Sequence, residues 1–184
     1  MIITISGKSG SGKSTLSEML RKDLTDAIHL DIDALNGDLM KTKPVIAMAK
    51  EIFGDNAIKD GKLDKQYILS TISTDKIKYT QWTDYMKNAC YNFVKQFVDK
   101  TTFAYYIIDH LNAGIWDFGK DAVSINCIAD IGLRLDRLQK RENISKECLD
   151  FRDKNHIETD ADINYTQDNY SEVLDYIVAR INNK

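Results

Sequence analysis

The chain has 184 residues, a formal net charge of −3, 43% hydrophobic residues and 29% charged residues. That size and balance predict one domain, 1–184, with a well-buried core. The net acidity excludes a partner held through nucleic-acid phosphates, which requires a basic face. No apolar run approaches the ~18 residues of a membrane span, and the N-terminus enters a strand directly, so no leader and a cytoplasmic location are expected. Three scattered cysteines, Cys90, Cys127 and Cys148, lack metal or disulfide spacing and read as free thiols in a reducing compartment.

Ile2–Ser6 reads as a short buried strand, β-branched throughout its apolar part. It runs into Gly7, Lys8, Ser9, Gly10, Ser11, Gly12, Lys13 and Ser14, which spell the phosphate-binding pattern G-x-x-x-x-G-K-S/T in full. Leu16, Met19, Leu20 and Leu24 then mark an amphipathic helix from 14 to about 24. Strand, glycine loop and helix together supply the context that this pattern requires. Glycines let successive backbone N–H groups turn inward into an anion nest, and the helix N-terminus adds its partial positive charge. Gly7–Thr15 would therefore hold a triphosphate. Lys13 would reach its β- and γ-phosphates and Ser14 would bind Mg²⁺.

A second strand is expected at 27–30, ending at Asp31-Ile32-Asp33. Pro44 suits the first turn of a helix that Gly54 stops, and 56–62 is a polar turn around Gly61. A short helix over 63–72 precedes a long one, in which Trp82, Tyr85, Met86, Ala89, Phe93, Val94 and Phe97 form an apolar stripe. That stripe reads as core rather than as a base-stacking surface. The run 103–108 ends in Asp109, as a central parallel strand would. Another strand at 124–129, a helix at Ile131–Glu142, a short strand at Ile163–Tyr165 and a C-terminal helix from Tyr170 complete the chain. Asn169 with Glu172 offers that last helix a capping box. Strands alternating with helices predict an α/β fold of the P-loop NTPase type: about five parallel strands flanked by helices, a helical acceptor-side insertion over about 40–100, and an arginine-bearing lid over about 137–160.

Ligands of such sheets bind beyond the carboxyl ends of the strands, where Asp31, Asp33 and Asp109 fall. Asp109 is placed to bind Mg²⁺ with Ser14. Asp33, further past its strand end, is the expected base for an attacking hydroxyl. Of six arginines, Arg134, Arg137, Arg141 and Arg152 cluster together, and none lies between Arg21 and Arg134. Arg134, Arg137 and Arg141 share one helix face, and planar guanidinium groups grip phosphate oxygens in pairs, so this helix reads as a phosphate lid. An acceptor that is itself a phosphate would need arginine on the acceptor side, where this chain has only lysines. A hydroxyl acceptor follows.

These residues resemble the dephospho-coenzyme A kinase family. The resemblance is carried by the glycine loop followed by Asp31-x-Asp33 and by Phe53-Gly54 with Asp60-Gly61-Lys62-Leu63-Asp64. Arg137-Leu138-Gln139-Lys140-Arg141 and Ala161-Asp162 with Asp168-Asn169 continue it to about residue 169. It implies ATP- and Mg²⁺-dependent phosphorylation of the ribose 3′-hydroxyl of dephospho-CoA, a step of coenzyme A synthesis. It further implies Asp33 as base, the loop as ATP site, and Arg141 and Arg137 as lid and cofactor contacts. The departures lie on the acceptor side. Asn36-Gly37-Asp38 stands where the family carries an arginine, and Thr80-Gln81 where it has a His-Pro pair. A nucleoside or nucleotide kinase therefore stays open as an alternative, and a non-catalytic NTP-binding switch is more distant, since the guanine-reading N-K-x-D is absent. The expected partner is a small molecule, and the expected state a monomer or weak homo-oligomer.

Overall fold

The computed structural model describes residues 1–154 and 156–182. Asn155, inside the predicted lid, and the last two positions of the predicted domain lie outside the described residues. In chain order the elements are β1 (Ile2–Ser6), α1 (Lys13–Asp23), β2 (Ala27–Asp31), α2 (Ile32–Leu39), α3 (Lys43–Phe53), β3 (Ile58–Lys59) and β4 (Lys62–Leu63). There follow α4 (Lys65–Ile72), α5 (Lys76–Lys100), β5 (Tyr105–Asp109), β6 (Val123–Cys127), α6 (Ile131–Glu142), α7 (Lys146–Asp153), β7 (Ile163–Tyr165) and α8 (Tyr170–Asn182). They fall into two compact units: Met1–Asp31 with Thr102–Lys184, and Ile32–Thr101.

The first unit is built on a five-stranded sheet of order β2-β5-β1-β6-β7, parallel throughout. Alternation along β1 decides its two faces. Ile3 and Ile5 join Leu16 and Leu20 of α1, Ile107, Ile125, and Val173 and Ile177 of α8 in one buried cluster. Thr4 and Ser6 are buried on the opposite face, and the Ser6 hydroxyl donates to the Ile125 carbonyl at 3.3 Å. The register brings three strand ends level. Asp109 at the end of β5 is the Cα partner of Ile5 on one side and of Asp31 on the other.

The second unit is helical apart from the β3–β4 hairpin, whose Asp60 and Gly61 both take positive φ (52° and 73°), the geometry of a primed two-residue turn. Val45, Ala49, Phe53, Ala57, Ile68, Trp82 and Met86 form its core, with Phe53 and Trp82 edge to face at 5.5 Å. Asp64 caps α4 by accepting from the Tyr67 N–H, and Asp75 caps α5 by accepting from Ile77 and Lys78. That cap starts α5 six positions before the aromatic stripe, which hydrophobic periodicity alone does not reveal.

Three expectations are corrected and one element is added. The second strand does not persist past Asp31: α2 begins at Ile32 and carries Asp33 in its first turn. Along α5 the buried row is Trp82, Met86, Cys90 and Val94, while Phe93 is 42% exposed beside Phe97. The added element is α7, which lies inside the segment expected as lid. Asn169 makes no capping box; its Oδ1 accepts from the Thr166 N–H at 2.8 Å and its amide donates to the Asn164 carbonyl.

Leu20→Ala, which empties a fully buried position, is expected to cost about 2–5 kcal/mol in urea unfolding. Phe93→Ala should cost less, about 1 kcal/mol, its ring being partly exposed and outside the buried row. Equal losses would show that the cores have been wrongly assigned.

Candidate functional site: a phosphate loop braced from outside

The loop between β1 and α1 turns sharply, with Gly7, Gly10 and Gly12 at φ 138°, 79° and 101°. The Ser11 N–H closes a turn onto the Lys8 carbonyl at 3.1 Å. At Gly7 and Gly10 the hydrogen side chain is also required by neighbours. A Cβ on Gly7 would lie 2.5 Å from the Cys127 carbonyl oxygen, and one on Gly10 would lie 2.9 Å from the Arg134 carbonyl oxygen. The end of β6 and the backbone of α6 thus press directly on the loop. Lys13 folds back over it, donating from Nζ to the Gly7 carbonyl at 3.0 Å and to the Lys8 carbonyl at 3.5 Å.

Asp109 is buried, 7% exposed, at the end of β5. Burial alone would raise its carboxyl; the nearby His29 imidazole, the Lys13 charge and a hydrogen bond with Ser14 outweigh that and hold it below the ordinary carboxylate range. The Ser17 hydroxyl approaches its Oδ2 at 3.4 Å and also donates to the Lys13 carbonyl at 3.0 Å. His29 Nε2 stands 3.7 Å from the same oxygen, buried and without a hydrogen bond. Ser14 lies one turn before Ser17 in α1, on the side of Asp109, and a serine hydroxyl with an ionised carboxylate is a hard-oxygen donor set of the kind Mg²⁺ uses when phosphates and waters fill its other positions. Ser14 and Asp109, separate in sequence, are therefore brought together. His29 and Ser17 escaped the sequence reading. Their only signals were two-residue spacing from Asp31 along the strand and one helical turn from Ser14.

The arginines of α6, one group in the sequence reading, have three environments. Arg134 is 4% exposed and makes a fork to Asp153 of α7, Nη1 to Oδ1 at 2.8 Å and Nη2 to Oδ2 at 2.6 Å. Its Nη1 also donates to the Ser9 carbonyl at 3.2 Å. Arg137 donates to the Gly10 carbonyl at 3.0 Å and to Gln167 Oε1 at 2.8 Å. Arg141 lies in solvent against Glu142, whose other oxygen takes Arg152 at 2.8 Å; the two guanidinium groups lower the Glu142 carboxyl. Leu149, fully buried, anchors α7. A cavity of about 550 Å³ opens beside the loop, lined by Lys8, Ser11, Asn126, Arg134, His156 and Asn164 among others. Lys13, Ser14 and Asp109 are not among its described walls, so the candidate phosphate site is the loop itself. Asp33 belongs to the other unit; there its carboxylate, after burial, contributes to raising the Cys90 thiol to about 11.

No known family profile matches the sequence, and no curated protein does. Solved structures do. TT1252 from Thermus thermophilus superposes with a TM-score of 0.75 at 18% identity, covering 97% of this chain and 96% of that one. Dephospho-CoA kinase from Campylobacter jejuni gives 0.52 at 17% identity over 99% and 96% of the two chains. Shikimate kinase from Acinetobacter baumannii gives 0.52 at 14% identity over 97% and 93%. At these identities the likenesses show the fold alone, a five-stranded parallel α/β sheet flanked by helices that is shared with the two kinases. Among the described residues no helix is long and apolar enough to cross a membrane.

The Asp153 carboxyl is held below its ordinary value chiefly by Arg134. A carboxylate lowered in the folded state contributes stability above its unfolded value, and that contribution is lost as pH falls through the folded value. Wild type should therefore lose more unfolding free energy than Asp153→Asn between about pH 5 and 3. Parallel stability–pH curves for the two proteins would refute the ion pair.

Proposed function

We propose that this chain is an ATP-dependent phosphotransferase that moves the γ-phosphoryl group to a hydroxyl on a small molecule. The observation that carries the reading is a buried, ionised Asp109 whose Oδ2 is reached by the Ser17 hydroxyl of the helix that directly follows a complete phosphate loop. A loop that served only as a turn gives no reason to set a carboxylate at that depth, where burial works against the charge and Lys13, His29 and Ser14 must offset it.

In this reading the loop from Gly7 to Thr15 holds the phosphates. Lys13 leaves the Gly7 and Lys8 carbonyls for the β- and γ-phosphate oxygens. Mg²⁺ would be held by Ser14 and Asp109, and when bound it neutralises charge on those oxygens. Asp33 takes the proton from the attacking hydroxyl as the new O–P bond forms and ADP departs. Arg137 and Arg141 lie on the helix next to the loop and supply cations for the charge that spreads over the transferring group. The unit Ile32–Thr101 serves as the acceptor-side subdomain, and the segment from about 137 to 160 as the lid of a single kinase domain. The protein would draw on cytoplasmic ATP.

The first acceptor to consider is the 3′-hydroxyl of dephospho-CoA. The sequence resemblance supports it, above all Phe53-Gly54 with Asp60-Gly61-Lys62-Leu63-Asp64. A nucleoside is the second. The absence of arginine from residues 22–133 favours either over a nucleoside monophosphate.

ADP release with Mg-ATP should be followed against dephospho-CoA, shikimate, several nucleosides and several nucleoside monophosphates. Stimulation by a hydroxyl acceptor is expected; stimulation by a monophosphate alone would overturn the acceptor class. Lys13→Ala should abolish transfer in a folded protein. Asp33→Asn should lower kcat by roughly 10²–10⁴-fold with little change in the KM for ATP. A weakened ATP site with unchanged turnover would instead place Asp33 among the ligand contacts.

A further inference from the structure

The sequence reading gives the α6 arginines one task, gripping phosphate, and Arg134 does not have the geometry for it. It is almost wholly buried, and both its Nη atoms are used. What it holds is protein. One guanidinium ties together the loop, through the Ser9 carbonyl, and α7, through both oxygens of Asp153. One helical turn on, Arg137 takes the next carbonyl of the loop, that of Gly10.

We propose that Arg134 is a positioning residue that presets the phosphate loop for its ligand, with Asp153 fixing the guanidinium in place. The proposal rests on the reading of the loop as a triphosphate site. The peptide group is planar, so the Ser9 carbonyl and the Gly10 N–H share one rigid plane and point in opposite directions. Fixing the carbonyl outward on Arg134 aims the Gly10 N–H inward. A charged donor also polarises the peptide it bonds, which strengthens that N–H as a donor. Without Arg134 the plane can rotate, and the ordering of the loop must then be met from the ligand's own binding energy.

The Arg134–Asp153 fork supports a positional role over a merely cohesive one. A buried ion pair often contributes no more stability than an apolar pair of the same volume. What it adds here is direction. The fork leaves the guanidinium only one in-plane orientation, and in that orientation Nη1 also meets Ser9. The Gly10 contact with α6 permits no slack, because the Arg134 carbonyl oxygen and Leu138 stand within 3.1 Å of where a Cβ would be.

The test is titration calorimetry of the full chain with two probes, inorganic tripolyphosphate and ADP, beside melting temperatures. Arg134→Gln should weaken both probes by roughly tenfold to a hundredfold, the range for losing a hydrogen bond to a charged group. Arg134→Lys should fall nearly as far, since one ammonium cannot span Ser9 and both Asp153 oxygens, and it serves as the test if Arg134→Gln does not fold. Asp153→Asn should lower the melting temperature and weaken both probes by clearly less than Arg134→Gln, because its remaining carbonyl oxygen still holds one N–H of a guanidinium that keeps its bond to Ser9. Wild-type affinity in the Arg134 variants would overturn the proposal. So would an affinity loss in Asp153→Asn equal to that in Arg134→Gln, which would mark general loosening. A wild-type protein that binds neither probe would overturn the nucleotide reading itself and this inference with it.

Discussion

Turning backbone N–H groups inward around an anion turns the carbonyls of the same peptides outward, and each buried carbonyl then needs a donor. The loop of this chain is organised around that requirement. Lys13 covers the carbonyls of Gly7 and Lys8 from within, while Arg134 and Arg137 cover those of Ser9 and Gly10 from α6. The nest is therefore completed by a helix more than a hundred residues away in sequence. The rest of the first unit serves that junction. The parallel register sets Asp109 level with Ile5, and α7 is held against α6 through Asp153.

Much of the architecture was legible because its signals are local. A β-branched run before a glycine loop, a proline opening α3 with a glycine closing it, and a continuous apolar run ending in an aspartate each report one element without reference to the others. The short pieces were not legible. Helix α2 begins immediately where β2 ends, with no loop to announce it, and α7 has little apolar face beyond Leu149.

The site divides in the same way. Loop residues could be read from spelling alone, since glycine spacing and Lys13 carry their own chemistry. The environment of a guanidinium could not. Arg134, Arg137 and Arg141 repeat at helical spacing, and nothing in the spacing distinguishes one bonded to a backbone carbonyl from one facing solvent. Tertiary contact makes the difference. His29 was hidden for a related reason: its nearest charged neighbour, Asp109, lies on another strand, and only the register of β2 with β5 brings them together.

Gly7 and Gly10 are confined by β6 and α6 whether or not a phosphate is ever present. Packing alone would preserve these two letters of the motif, so their persistence in a lineage would be a poor witness to nucleotide binding. Asp109 is a different kind of witness. A carboxylate at the buried end of an apolar strand is opposed by burial and held there only by its polar neighbours, and packing alone would be met as well by an aliphatic residue. In a descendant that had lost its ligand, drift would reach Asp109 while the glycines still stood.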